Sequence, residues 1–295
     1  MNWESWKGRA RQIKARAAQA KAGAAGRAKK IRLPGWLSTA GQTAAVAFGM
    51  FSAVPAPQPA WNEKNMKYAL CAFPLVGVVI ALAFGCWGWA AAALDLPVLL
   101  RAAGFCLLPV WINGGIHLDG YADTCDALAS YGGQEKRLAI LKDPHCGAFA
   151  VIRLCSWFAA DLGLCAALPL TTRAVGCMQL GFVLERAISG WAVAALPLAK
   201  NTGLAHTFAT SADRTAVRRV LLVLAILLAV CMCAVGRIEG AAMAAAAFLV
   251  LLYYRRMSDK QFGGLSGDLA GWFLQTAELW MLAALVAVQL LEAAL

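Results

Sequence analysis

Charge is scarce in this chain, and negative charge is scarcer still. Of 295 residues only 15% are charged, with 16 Asp and Glu against 27 Lys and Arg, where a soluble domain carries about 25% charge. Together with 61% hydrophobic residues and a mean hydropathy of +0.62, that shortage excludes an ordinary soluble domain. Metal-finger and CxxC spacings are missing among the 10 cysteines, which excludes a zinc framework. Most of these cysteines (Cys71, Cys86, Cys106, Cys155, Cys165, Cys177 and Cys231) lie inside apolar runs and read as small buried hydrophobes. No P-loop, GxSxG, HExxH or dinucleotide fingerprint occurs.

What is present is a series of apolar runs of bilayer-crossing length, at about 69–93, 98–116, 147–169, 174–198, 217–236, 239–254 and 268–292. Gly and Ala are abundant in them, as expected where helices approach closely. The pattern predicts an all-α fold, a polytopic membrane helix bundle of about seven transmembrane helices. An N-terminal re-entrant or interfacial helix is expected over 36–54, stopped by the three prolines of "PAPQPAWNEKNMKY". No internal repeat or separate soluble domain is visible. The organisation is a basic N-terminal tail, 1–35, and an integral membrane domain, 36–295.

Residues 1–33 hold 10 of the 27 basic residues and one acid. The tail has no apolar core, so it does not read as a signal peptide; it suits solvent or an anionic lipid surface. Nucleic-acid binding finds no support elsewhere in the chain. With alternating spans, one side collects 22 of the 27 basic residues, and the other has Arg101, Arg173 and Arg237. By the positive-inside rule the crowded side is cytoplasmic. The long polar loops lie there too, so the chemistry is expected on the cytoplasmic face of a bacterial-type inner membrane, with membrane lipids as partners.

The scarce acids are concentrated. In "GGIHLDGYADTCDAL", Asp119, Asp123 and Asp126 stand at i, i+4 and i+7, within roughly 60° of arc on one helix face. Like charges so placed call for a cation, and carboxylate oxygens suit Mg²⁺ or Mn²⁺. Cys125 sits among them, but a soft thiolate is a poor partner for such an ion. His117 reads as a hydrogen-bonded orienter more readily than as a ligand, and Gly120 permits close approach of a phosphate. A solvated acidic helix start is the plainer alternative.

Three further sets of residues bear on chemistry. In "RLAILKDPHCGAFA", Lys142, Asp143 and Gly147 combine a cation, a carboxylate and a glycine at a helix start, a phosphate-friendly set. In "DKQFGGLSGDLAGWFLQTAE", Gly263, Gly264, Ser266 and Gly267 form a flexible loop before Asp268, and the same pattern also serves as an ordinary membrane turn. Inside spans lie Asp161, Glu185, Arg186 and Glu278, each a functional candidate by its cost. Glu185 and Arg186 are sequence neighbours and not automatically an ion pair; Arg186, facing the bundle, could hold a phosphate. His145 and His206 lie in polar loops, as solvated or substrate-contacting residues. Oxygen ligands, basic residues and glycines on one membrane face match metal-assisted phosphoryl transfer.

"GGIHLDGYADTCDAL", "ILKDPHCGAFA" and "GGLSGD", in this order and spacing, resemble the cobalamin synthase family, the adenosylcobinamide-GDP ribazoletransferases. The likeness covers roughly 45–292 and includes a Phe-Pro-Leu-Val-Gly run, Phe73 to Gly77. It implies a multi-pass, Mg²⁺-dependent transferase joining adenosylcobinamide-GDP to α-ribazole or α-ribazole 5′-phosphate and releasing GMP. On this likeness the family's motif residues fall on Asp119, Gly120, Asp123, Asp126, Asp143, Gly147, Arg186, Gly263, Gly264, Gly267, Asp268 and Glu278. Asp119, Asp123 and Asp126 are the expected metal ligands; with Asp143 they form the catalytic set, and His117 and Lys142 join the substrate-binding set. Pro144, Ala150 and Gln275 depart from the pattern, where serine, glycine and an acid are expected. A CDP-alcohol-type phospholipid synthase and a cation transporter are the alternatives.

Overall fold

The computed structural model describes residues 35–199 and 203–294, so most of the basic tail lies outside the described residues. The described residues from Thr39 onward belong to one compact unit. The described residues are helical throughout, apart from loops and one isolated parallel bridge between Leu198 and Leu265. The helices run in order α1 (Gly35–Phe51), α2 (Glu63–Met66), α3 (Ala69–Ala93), α4 (Val98–Asn113), α5 (Ile116–Ala129) and α6 (Gln134–Ile140). They continue with α7 (Ala148–Ala167), α8 (Thr172–Ala195), α9 (Leu204–Ser211), α10 (Arg214–Gly236), α11 (Ile238–Phe262) and α12 (Gly267–Ala294).

Five of these, α3, α7, α10, α11 and α12, are each long and apolar enough to cross a membrane, and the bent pair α4–α5 brings the number to six if counted as one span. A polytopic helical bundle therefore stands, with a lower span count than the seven apolar runs predict. Two runs account for the difference. The run at 98–116 stops as a helix at Asn113. The run at 174–198 forms α8, a 24-residue helix carrying Gln179, Glu185, Arg186 and Ser189.

α8 is the central element. Its residues from Gly181 to Gly190 are largely buried, and it packs along α3 on one side and α10 on another. Gly77 explains the first contact, because a Cβ there would meet the backbone carbonyl of Phe182. Phe84, Phe105 and Phe182 fill the space between α3, α4 and α8, with centroids 4.2 Å apart for Phe84–Phe105 and 5.2 Å for Phe84–Phe182. Such burial in lipid-facing helices leaves packing and internal hydrogen bonds as the cohesive terms.

Local sequence sets the ends of the elements. Asn62 accepts from the backbone N–H groups of Lys64 and Asn65, each at 3.0 Å, and Asn65 accepts in return from the Asn62 N–H at 3.0 Å, a reciprocal cap that starts α2. Thr171 and Asp213 cap α8 and α10 by accepting from Ala174 and Ala216, each at 3.1 Å. Between α4 and α5 two successive glycines, Gly114 at φ 67° and Gly115 at φ 77°, take left-handed backbone that a side chain would strain. They turn the chain by 94°, so α5 leaves the line of α4 and carries the acidic motif across the starts of α7 and α12. The turn is anchored from outside by the Ala53 N–H, which donates to the Ile112 carbonyl at 2.8 Å.

Candidate active site

α5 presents Asp119 in its first turn and Asp123 one turn later. It is seated by two glycines at its crossing with α12. A Cβ on Gly120 would lie 2.7 Å from the Asp268 carbonyl oxygen, and one on Gly271 would lie 2.8 Å from that of His117. The first acidic residue of α12 is thereby drawn against the acidic face of α5. Asp123 is close enough to Asp119, Asp268 and Asp126 to feel all three charges. Asp126 points at the start of α7, where its carboxylate fills the space a side chain on Gly147 would need.

Two cavities flank this face. The first, of about 480 Å³, is bordered by His117, Asp119, Gly120 and Lys142 together with Gly267 and Asp268 at the start of α12. Its remaining wall is largely apolar, with Phe51 from α1, Leu70 and Phe73 from α3, Val193 from α8 and Phe208 from α9, and it also includes Ser189, His206 and Ser266. The second, of about 490 Å³, is a cleft bordered by Asp119, Asp123, Asp143, His145 and Cys146. Asp119 stands in the wall of both.

Asp143 sits in the loop after α6. Its Oδ1 accepts from the His145 backbone N–H at 3.0 Å and lies 2.6 Å from the ring Nδ1. These contacts, above all that with the His145 side chain, hold the carboxyl below its ordinary value.

Eight of the residues singled out from sequence thus meet at the first cavity (His117, Asp119, Gly120, Lys142, His206, Ser266, Gly267 and Asp268), and Asp119, Asp123, Asp143 and His145 meet at the second. Others do not reach either wall. Gly263 and Gly264, at φ 74° and 143°, end α11 and bring the loop against the Leu198 backbone. Leu265 then donates to the Pro197 carbonyl and accepts from the Ala199 N–H, each at 2.8 Å. They act as a brace that sets the start of α12. Ser266, accepting from the Leu269 N–H at 3.2 Å, begins that helix.

Arg186 is wholly buried and lies on neither cavity wall. Its guanidinium pairs with its neighbour Glu185, donates to the Phe182 carbonyl at 2.8 Å and to Asn113 Oδ1 at 3.3 Å. The flexible Arg stem brings adjacent helix positions into an ion pair despite their divergent directions. The pair, with the Asn113 bond, ties α8 to the end of α4, just before the glycine turn. Glu278 and Asp161 are buried in the same interior, within electrostatic reach of one another. Among the described residues no group of three or more His, Cys, Asp or Glu side chains forms a ready metal cage.

The aromatic wall is what sequence reasoning missed. Phe51 lies 4.4 Å from Phe73 and 5.2 Å from Phe208 by ring centroid, and Phe73 lies 5.8 Å from the His117 ring. Nothing in residue type separates these phenylalanines from lipid-facing ones.

Carboxylates gathered where several membrane helices begin, beside a cavity that is polar at one end and apolar at the other, define a membrane-embedded enzyme of the phosphoryl-transfer kind. Residues 43–286 match the cobalamin-5-phosphate synthase family, and the chain belongs to that family. It is similar to the adenosylcobinamide-GDP ribazoletransferase of Lachnoclostridium phytofermentans, at 39% identity over 79% of this chain and 89% of the relative. The protein of the same name from Geobacillus kaustophilus is 30% identical over 83% and 93%. That from Pseudomonas savastanoi pv. phaseolicola is 31% identical over 75% and 88%. No solved structure matches the chain.

Proposed function

We propose that this protein joins adenosylcobinamide-GDP to α-ribazole or α-ribazole 5′-phosphate, giving adenosylcobalamin or its 5′-phosphate and GMP. Its family and the names of its relatives support the reaction. The observation that carries the site assignment is Asp119, shared by two cavities and continued by Asp123 and Asp143 on the cleft side and Asp268 on the other. Two reactants entering from different sides meet there.

In the step itself the 3′-hydroxyl oxygen of the ribazole attacks the phosphorus that bears the aminopropanol arm. The new P–O bond forms as the bond to the GMP oxygen breaks, and the hydroxyl proton passes to a carboxylate. Asp143 and Asp126 are the candidates for that acceptor. Asp143 borders the cleft beside Asp119 and Asp123, whereas Asp126 is turned toward Gly147, which favours Asp143. Lys142, on the wall of the first cavity, offsets charge on the phosphates.

Mg²⁺ fits the donors at this face. They are hard oxygens, and Asp123 feels three like charges, a crowding that a cation relieves. The missing three-residue cage is no obstacle, because Mg²⁺ is commonly held by one or two carboxylates together with substrate phosphates. Asp119 and Asp123 are the residues placed to hold it, with Asp126 next along the helix. Bound there, the ion would neutralise the pyrophosphate. The site faces the cytoplasm of a bacterial-type inner membrane on the distribution of basic residues.

Release of GMP from adenosylcobinamide-GDP by the protein in lipid tests the assignment. Release that requires both Mg²⁺ and α-ribazole 5′-phosphate is expected. Transfer from a CDP-lipid, or cation flux with no nucleotide present, would replace this reading with a phospholipid synthase or a transporter.

A further inference from the structure

The two cavities are alike in volume, about 480 and 490 Å³, but differ in lining, one largely apolar and the other polar. We propose that the aromatic cavity is the acceptor subsite: it takes the ribazole nucleoside, base against Phe51, Phe73 and Phe208, while the GDP-activated corrinoid reaches Asp119 through the polar cleft. The inference rests on the transferase reading above and assigns its substrates to sides.

The wall chemistry is the first reason. Three phenylalanine rings whose centroids lie 4.4 Å and 5.2 Å apart along the chain Phe73–Phe51–Phe208, with Leu70 and Val193 beside them, form an apolar face suited to a flat base. Stacking on such rings favours any aromatic base, but hydrogen bonding distinguishes them. Guanine carries donors and acceptors along one edge, and burying that edge against hydrocarbon costs free energy unless each is met. An N-ribosylated benzimidazole keeps a single acceptor nitrogen and no ring N–H. Two imidazoles border the cavity, His117 and His206, and His117 stands edge-on to Phe73 at 5.8 Å, where it can serve the single acceptor nitrogen of the benzimidazole.

Position is the second reason. A nucleoside with its base on the phenylalanines has its sugar toward the polar end, where Asp119, Asp268 and Lys142 border the same cavity. The 3′-hydroxyl then approaches the acidic face from one side and the pyrophosphate from the other, the opposed arrangement that in-line phosphoryl transfer requires.

The test uses full-length protein in lipid nanodiscs. Labelled α-ribazole is bound first to the wild type without any donor, and unlabelled GMP is offered as competitor. Binding that GMP does not displace is expected. Steady-state KM values for both substrates are then measured for Phe51→Ala, which truncates a partly exposed side chain, and for His117→Gln. Phe51→Ala should raise KM for α-ribazole 5′-phosphate about tenfold, the loss expected on removing one stacked ring, and leave KM for adenosylcobinamide-GDP unchanged. Displacement of α-ribazole by GMP, or a rise confined to the donor KM, overturns the assignment. A wild type that releases no GMP under any condition would instead overturn the transferase reading. Should Phe51→Ala fail to fold, the wild-type competition decides alone.

Discussion

At Asp143 the charge is set by a neighbour two positions away. The His145 ring and backbone N–H both contact the carboxylate, and hydrogen bonds to the charged form lower the pKa. A lowered carboxyl pKa means that the charge, and the contact that depends on it, persists above the ordinary value and is lost only as pH falls through the lowered one. Replacing His145 by Ala removes the contact and returns the carboxyl upward. The acid limb of the pH–rate profile for GMP release should therefore move to higher pH in His145→Ala. An unmoved acid limb would exclude Asp143 as the proton acceptor. Asp123→Asn keeps the side-chain shape but removes a charge where four carboxylates converge. It should lower turnover at least about a hundredfold while leaving the protein folded and inserted; near-normal turnover removes Asp123 from the site. Arg186 makes the opposite kind of prediction. Arg186→Met strands a buried Glu185 and should cost about 3–5 kcal/mol of stability, read as a lowered unfolding temperature in detergent. Adding Glu185→Leu should recover much of that loss.

Among the elements, α5 shows how a short helix is aimed. Gly114 and Gly115 turn it, Gly120 and Gly271 let it touch α12, and Gly147 leaves room for Asp126. Gly120→Ala would press a Cβ against the Asp268 backbone and should cost about 1–3 kcal/mol. Because the crossing also places Asp119 and Asp268, turnover should fall more than stability does, which parallel measurement of GMP release and thermal unfolding will separate. The acidic face itself was legible in the sequence, because the spacing of Asp119, Asp123 and Asp126 depends only on helical periodicity. So was the loop before Asp268. The role of the Gly263–Gly264 pair was not, since a phosphate loop and a brace share one composition and only the Leu198–Leu265 bridge separates them. For Arg186 the cost of a buried charge marks it as important without saying whether it meets substrate or a neighbouring helix. The helix–helix approach at Gly77 and the aromatic wall depend on which distant faces meet, and a single chain's periodicity carries no such information.

For the molecule as a whole, the open question is which face of the membrane the acidic mouth serves. Basic residues crowd the loops on its side, and Arg101, Arg173 and Arg237 are what the other side carries. The structure gives both ends a polar anchor, with Lys67 and Asp213 paired at 3.5 Å near the starts of α3 and α10 and Arg173 beside Glu239 at 3.9 Å at the opposite end. Neither pair sets orientation; the loop charge does. Cys146 supplies the means of deciding, because it is exposed, borders the cleft with Asp119 and Asp143, and lies in a loop and not in an apolar helix. A membrane-impermeant maleimide should label it in inside-out vesicles and leave it unlabelled in right-side-out ones, with Cys146→Ala showing how much signal other cysteines contribute. If the cleft is the donor's route, adenosylcobinamide-GDP should also slow that labelling and α-ribazole alone should not. Labelling from the outer face would place the mouth on the far side of the membrane and break the link between the basic loops and the chemistry.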